Sequence, residues 1–145
     1  MKNVDEILYD AIRADEELMQ AIGGRVTSTC FEVSPIDGKD NTQLPNIIVT
    51  DEGFVNQTST KDYVWESGED RVQVGVDIAA DSPQEVKKLV RMCRRAVERY
   101  INTMYQRGDD IPELEQLSAD MLAWDWMKPC YYKRLTYSCI TNADI

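Results

Sequence analysis

Residues 70–108, DRVQVGVDIAADSPQEVKKLVRMCRRAVERYINTMYQRG, decide the fold, because two periodicities meet inside them. From Asp70 to Ala79, Val72, Val74, Val76 and Ile78 alternate with Arg71, Gln73, Gly75 and Asp77. Successive side chains of an extended chain point to opposite faces, so the segment predicts a strand with one apolar face. At Ser82 the period changes. A serine can cap a helix, a proline suits the first helical position because its missing N–H would have had no partner, and Glu85 stands three residues after the cap. Val86, Leu89, Val90, Cys93, Ala96, Val97, Tyr100, Ile101 and Met104 then recur at three- and four-residue steps. They predict the apolar stripe of a helix lying flat on a sheet, ended near Gly108.

On the N-terminal side, Val4, Ile7, Leu8, Ala11 and Ile12 have helical spacing, and Leu18, Met19, Ala21 and Ile22 continue it after a break near Asp15. Asn3 and Glu6 occupy the positions of a capping box, and Gly23-Gly24 supplies the left-handed stop. Arg25 to Val33 predicts an edge strand, Ser34 to Pro45 a loop, and Asn46 to Asp51 a short buried strand around Ile47-Ile48-Val49. Glu52 to Glu69 is polar apart from Phe54, Val55, Tyr63, Val64 and Trp65, and predicts a long flexible hairpin arm. Beyond the central helix, Pro112 to Leu117 predicts a short helical turn. Met121–Met127 and Tyr131–Ile140 predict a closing hairpin, about 121–140, around Lys128-Pro129. The result is an α+β fold: a sheet of about four to five strands with helices packed on one face.

A length of 145 residues suits a single domain spanning 1–145, and 43% hydrophobic with 29% charged residues suits a folded core rather than a disordered chain. No apolar run is long enough to cross a bilayer. The opening residues Met1-Lys2-Asn3-Val4-Asp5-Glu6 carry neither the basic-then-apolar order of a secretory signal nor the Arg-rich character of a transit peptide, so a cytoplasmic chain is expected. A net charge of −10 argues against wrapping a nucleic acid, which requires a basic surface to displace phosphate counterions. Cys30, Cys93, Cys130 and Cys139 lack Cys-x-x-Cys spacing and predict free thiols.

The same composition narrows the chemistry. The chain has no histidine, which removes Ser-His-Asp and Cys-His catalysis and mixed-ligand zinc sites. It has no phosphate-binding loop and no dinucleotide fingerprint, so no cofactor is expected. The acidic residues Asp5, Glu6, Asp10, Asp15, Glu16 and Glu17 read as a solvated helix face. Cys93 lies beside Arg94 and Arg95 but on the apolar stripe, where burial opposes reactivity. The expectation is therefore a protein that is not an enzyme.

Two features remain as candidate partner-binding surfaces. The polar side of the long helix holds Lys87, Lys88, Arg91, Arg94, Arg95 and Arg99, opposed there mainly by Glu85 and Glu98. This stripe is either a solvated face or a surface that meets an acidic patch on a neighbouring copy. The arm carries Phe54, Tyr63 and Trp65, which either anchor a partner or fold back on the sheet edge. Trp124 and Trp126, two apart, read as sheet-face packing.

The order of short strings is also informative. An Ile22-Gly23-Gly24-Arg25-Val26 stop precedes Leu44-Pro45-Asn46-Ile47-Ile48-Val49; a polar arm with Ser59-Thr60-Lys61-Asp62 precedes Glu69-Asp70-Arg71-Val72-Gln73-Val74, and a Ser82-capped helix follows. Over roughly residues 4–101 this resembles the tail-completion, or tail-terminator, family of long-tailed bacteriophages and prophages. The resemblance implies a curved antiparallel sheet backed by helices and a structural role: a ring, six-fold by family expectation, that caps the tail tube and offers a surface to the head connector. It implies partners among copies of the chain itself, the tail tube protein and the head connector protein. It places the chain in the host cytoplasm during assembly and then at the virion head–tail junction, with no catalytic residues, no membrane and no sequence-specific nucleic acid. The alternative is a non-catalytic host module that grips a peptide or small ligand through Trp65, Trp124 or Trp126.

Overall fold

The computed structural model describes residues 3–28, 43–56, 69–109, 114–125 and 130–142. In chain order the elements are α1 (Val4–Ala14), α2 (Glu16–Ala21), β1 (Val26–Ser28), β2 (Asn46–Asn56), β3 (Glu69–Ala80), α3 (Pro83–Arg107), β4 (Glu115–Ala119), β5 (Ala123–Asp125) and β6 (Cys130–Asn142). They make an α+β fold in which the six strands run in the order β1-β2-β3-β6-β4, with β5 also paired to β6.

The alternation from Asp70 to Ala79 becomes β3, the centre of the sheet. It pairs antiparallel with β2 on one side, Ile47 opposite Ile78 and Val49 opposite Val76, and with β6 on the other, Val76 opposite Leu135 and Val74 opposite Tyr137. These residues therefore share a face. On it Ile47, Val49, Val74, Val76, Ile78 and Leu135 are wholly buried, in one cluster with Leu8 and Ile12 of α1 and with Val86, Leu89, Cys93 and Ala96 of α3. The opposite face carries Asp77, whose carboxylate takes a bidentate pair of hydrogen bonds from Arg134 at 2.7 and 2.8 Å.

The helix ends follow from named residues. The Ser82 hydroxyl accepts the Glu85 N–H at 3.2 Å, Pro83 opens α3, and Gly108 closes it in the left-handed conformation at φ 77°. Asp15 separates α1 from α2 because its Oδ1 accepts the Leu18 N–H at 2.9 Å, restarting the helix in a new direction. Gly23, at φ 60°, takes a conformation that favours glycine, and a Cβ there would lie 2.6 Å from Nη1 of Arg25, so the guanidinium would have to move to admit one. The Arg25 guanidinium is occupied, donating to Pro45 O at 2.9 Å and Leu44 O at 3.1 Å, and so ties the entry of β1 to the entry of β2.

Several expectations change. Asn3 stands at the N-cap of α1 but its side chain makes no capping hydrogen bond; Asp5 Oδ1 accepts the Glu6 N–H at 2.9 Å instead. The sheet is mixed rather than wholly antiparallel, since β1 runs parallel to β2 with Val26 opposite Ile47. It has six strands rather than four or five. The arm is shorter than 52–69, because β2 continues to Asn56 past a bulge at Asp51/Gly53, with Phe54 opposite Val72. Gly53 takes φ 101° there and donates its N–H to Asp51 Oδ1 at 2.8 Å. A bulge lets a polar segment stay in the ladder. Residues 57–68 of the arm lie outside the described residues.

Near Pro112 the described part is not a helical turn: Glu115–Ala119 forms β4, antiparallel to β6 with Glu115 opposite Ser138. The hairpin expected over 121–140 is present as β5 and β6, Ala123 opposite Tyr132 and Asp125 opposite Cys130, with its tip at 126–129 outside the described residues.

Candidate functional site

The outer side of α3 is built by the same spacing that buries the inner side. With Val86, Leu89, Val90, Cys93, Ala96 and Val97 fixed against the sheet, Lys87, Lys88, Arg91, Arg94, Arg95 and Arg99 must point to solvent, and all six are exposed. The helix holds seven of the sixteen Lys and Arg of the chain but only two of its twenty-six Asp and Glu, so it carries +5 while the remainder carries −15. Among the described residues, only Arg99 of the six has an ion-pair partner: its Nη1 lies 3.5 Å from Asp15 Oδ2. That pair links α3 to the α1–α2 junction, and with Arg99 67% exposed its strength is set by solvent screening.

The structure thus brings five cations together on one helix face, with Arg99 turned to an intramolecular task. Phe54 belongs to β2, while Tyr63 and Trp65 lie outside the described residues. Trp124 is 39% exposed and meets the Tyr131 ring edge-on at a centroid distance of 4.7 Å, a packing contact at the sheet edge. Trp126 lies outside the described residues.

Sequence reasoning missed a groove of about 470 Å³ between the α1–α2 junction and the C-terminal half of α3. Ala14, Ala96, Tyr100 and Met104 line it, and Arg99 and Arg107 stand on one rim with Glu16 and Glu17 on the other. Its only trace in the sequence is the break at Asp15, which turns α2 away from α1 and opens the space. A second omission is Met121, which the sequence placed in a strand; it stands between β4 and β5 at 87% exposure.

Two of the thiols, Cys93 and Cys139, are poorly disposed to react. Burial pushes the Cys93 thiol up to about 12, aided by the negative charge of Asp15, and burial also raises Cys139. Among the described residues no group of three or more His, Cys, Asp and Glu is placed to hold a metal ion. No helix among them is long and apolar enough to cross a membrane.

No family model matches the chain, and no curated protein does. Among solved structures, the fold is similar to that of a chain in the virion of a native gene transfer agent (GTA) particle. That likeness has a TM-score of 0.53 at 10% sequence identity and covers 96% of this chain and 94% of that one. At that identity it is a likeness of fold.

Proposed function

We propose that this chain is a structural part of a phage-like particle, and within it a tail-completion or head–tail joining protein that caps the tail tube and offers a surface to the head connector. The observation that carries the reading is the fold likeness to a virion-particle chain, which runs almost end to end in both proteins. The order of short strings from Ile22 to Ser82 points to the same class from the sequence side. The role requires no catalysis. A chain without histidine, whose Cys93 thiol stays protonated to about 12, supports that reading.

In this role copies associate through the long helix and the sheet edges, while the segment between β2 and β3 engages the tube or the connector. The exposed +5 helix on a chain otherwise at −15 supports contact with an acidic neighbour. Electron microscopy of tails assembled with and without the protein tests the proposal. Without it, tails of uncontrolled length that fail to join heads are expected; tails of normal length joined to heads would refute it.

A further inference from the structure

Tyr137 is a buried hydrogen-bond donor that the fold itself does not use. It stands on the face of β6 that meets α3 and is 5% exposed, and among the described residues its hydroxyl has no hydrogen-bond partner. Buried polar groups are nearly always paired, so an unpaired one marks a place where the chain alone is incomplete. Burial holds the phenol above its ordinary value; Cys93 and Glu98 add to the rise and Arg94 opposes it, so the group keeps its proton and donates. Tyr137 lines a cavity of about 290 Å³, and Arg94 and Glu98, which act on the hydroxyl, line it too, so the hydroxyl is turned toward that space. The layout of the sheet leaves the space. α3 packs on β3 and β6, while β4 lies beyond β6 at the end of the sheet. Gln116 stands opposite Tyr137, so Gln116 and Leu114, two residues before it, face the α3 side across the cavity from the helix.

Charge and hydrogen bonding name the occupant. Val97, Ile101 and Leu114 supply an apolar wall, and Arg94 and Glu98 supply one positive and one negative charge. Either charge alone would select an ion of the opposite sign; together they favour an uncharged group that accepts from the one and donates to the other. A primary amide does both, and on an aliphatic stem it is the side chain of glutamine. We propose that the cavity takes a glutamine side chain from a short extended segment of a partner protein, laid along the outer edge of β4. The amide oxygen accepts from the Tyr137 O–H and the Arg94 guanidinium, the amide N–H donates to Glu98, and the stem lies on Val97, Ile101 and Leu114.

A free amide would fill the cavity but leave the strand beside it unused. β4 ends the sheet, and among the described residues no strand pairs with its outer edge. An extended segment can add there, its backbone bonding to the edge while alternate side chains turn toward the helix. β4 is five residues long and shifts register after Gln116, so the edge takes a short segment rather than a long strand. The site goes beyond the assembly reading, and either can fail without the other.

The test is an NMR titration of the full, isotope-labelled chain with the acetylated and amidated peptide Thr-Thr-Gln-Thr-Thr, and with the same peptide carrying Met or Glu in place of Gln, each up to about 10 mM. Saturable shifts of the Tyr137 ring and of the Glu115–Ala119 backbone amides are expected, with the Gln peptide bound about tenfold more tightly than either of the others. Tyr137→Phe should reduce the preference for Gln over Met to about twofold, the fivefold difference that one net hydrogen bond makes. The free variant should melt at the parent temperature or above it, because it loses a buried donor that had no partner. No saturable shift, equal binding of the Gln and Met peptides, or a preference unchanged in Tyr137→Phe would each overturn the site. A lower melting temperature would show that the hydroxyl is used within the fold and would also overturn it. N-acetylglutamine amide binding as tightly as the peptide would overturn strand addition. The same shifts arising from protein concentration alone would put a second copy there in place of a partner. Tails that still require the protein for length control would then leave the particle role standing without this site.

Discussion

The two faces of α3 are made of the same twenty-five residues and obey opposite logic. On the inner face every side chain is accounted for by the fold: Val86 and Cys93 are wholly buried, and Leu89 is 1% exposed. On the outer face the fold accounts for little. Lys87, Lys88, Arg91, Arg94 and Arg95 have no ion-pair partner among the described residues. They also lie away from the last turn, where cations would complement the helix dipole. A face that the chain's own stability does not require is a face available to something else.

Breaking the inner face should have the largest effect. Leu89→Ala removes a buried side chain from a cluster shared by α1, α3 and four strands, and a cavity there costs about 2–5 kcal/mol. Urea denaturation should show a lower midpoint with an unchanged slope. A loss below about 1 kcal/mol would mean that the inner face is not the packed core described above.

The helix starts offer a sharper contrast, because Ser82 and Asn3 look alike in the sequence and differ in the structure. Ser82 Oγ accepts the Glu85 N–H at 3.2 Å, whereas Asn3 makes no side-chain capping bond. Ser82→Ala should therefore cost about 1 kcal/mol, and Asn3→Ala less than about 0.5 kcal/mol, measured in the same urea series. Equal losses would show that the Asn3 side chain caps α1 in solution.

That contrast also marks what the sequence could show. Where a local pattern was confirmed by long-range demand, as at Val72, Val74, Val76 and Ile78 meeting the stripe of α3, both element and facing were legible. Where local chemistry allowed two outcomes, the sequence could not choose. Asp5 supplies its carboxylate to the first turn of α1 in place of Asn3. Glu115–Ala119 offers only Leu117 and Ala119 in alternation, too short a pattern to predict a strand, and it is a strand because β6 is thirteen residues long and offers a ladder on that side. The continuation of β2 past Asp51 needed the left-handed Gly53, which reads equally well as a turn. The cationic face was legible from helical spacing alone. The groove was not, because its walls are far apart in sequence and meet only through the packing of α1 on α3.

The outer face should respond least in stability, and in a direction that separates folding from assembly. Lys87 and Arg91, Arg91 and Arg95, and Arg95 and Arg99 stand four residues apart on exposed positions, and like charges at that spacing destabilise a helix by about 0.2–0.5 kcal/mol per pair. Arg91→Glu turns two of these repulsions into attractions, Lys87 with Glu and Glu with Arg95. The variant should therefore be as stable as the parent or more so, by a few tenths to about 1 kcal/mol at low salt, with the gain fading as salt rises. Its incorporation into tails should nonetheless fall, because the reversed charge faces the acidic surface that the stripe is proposed to meet. A variant that gains stability and still assembles normally would show that the stripe is an ordinary solvated face. One that loses both would place Arg91 in an intramolecular contact absent from the described residues.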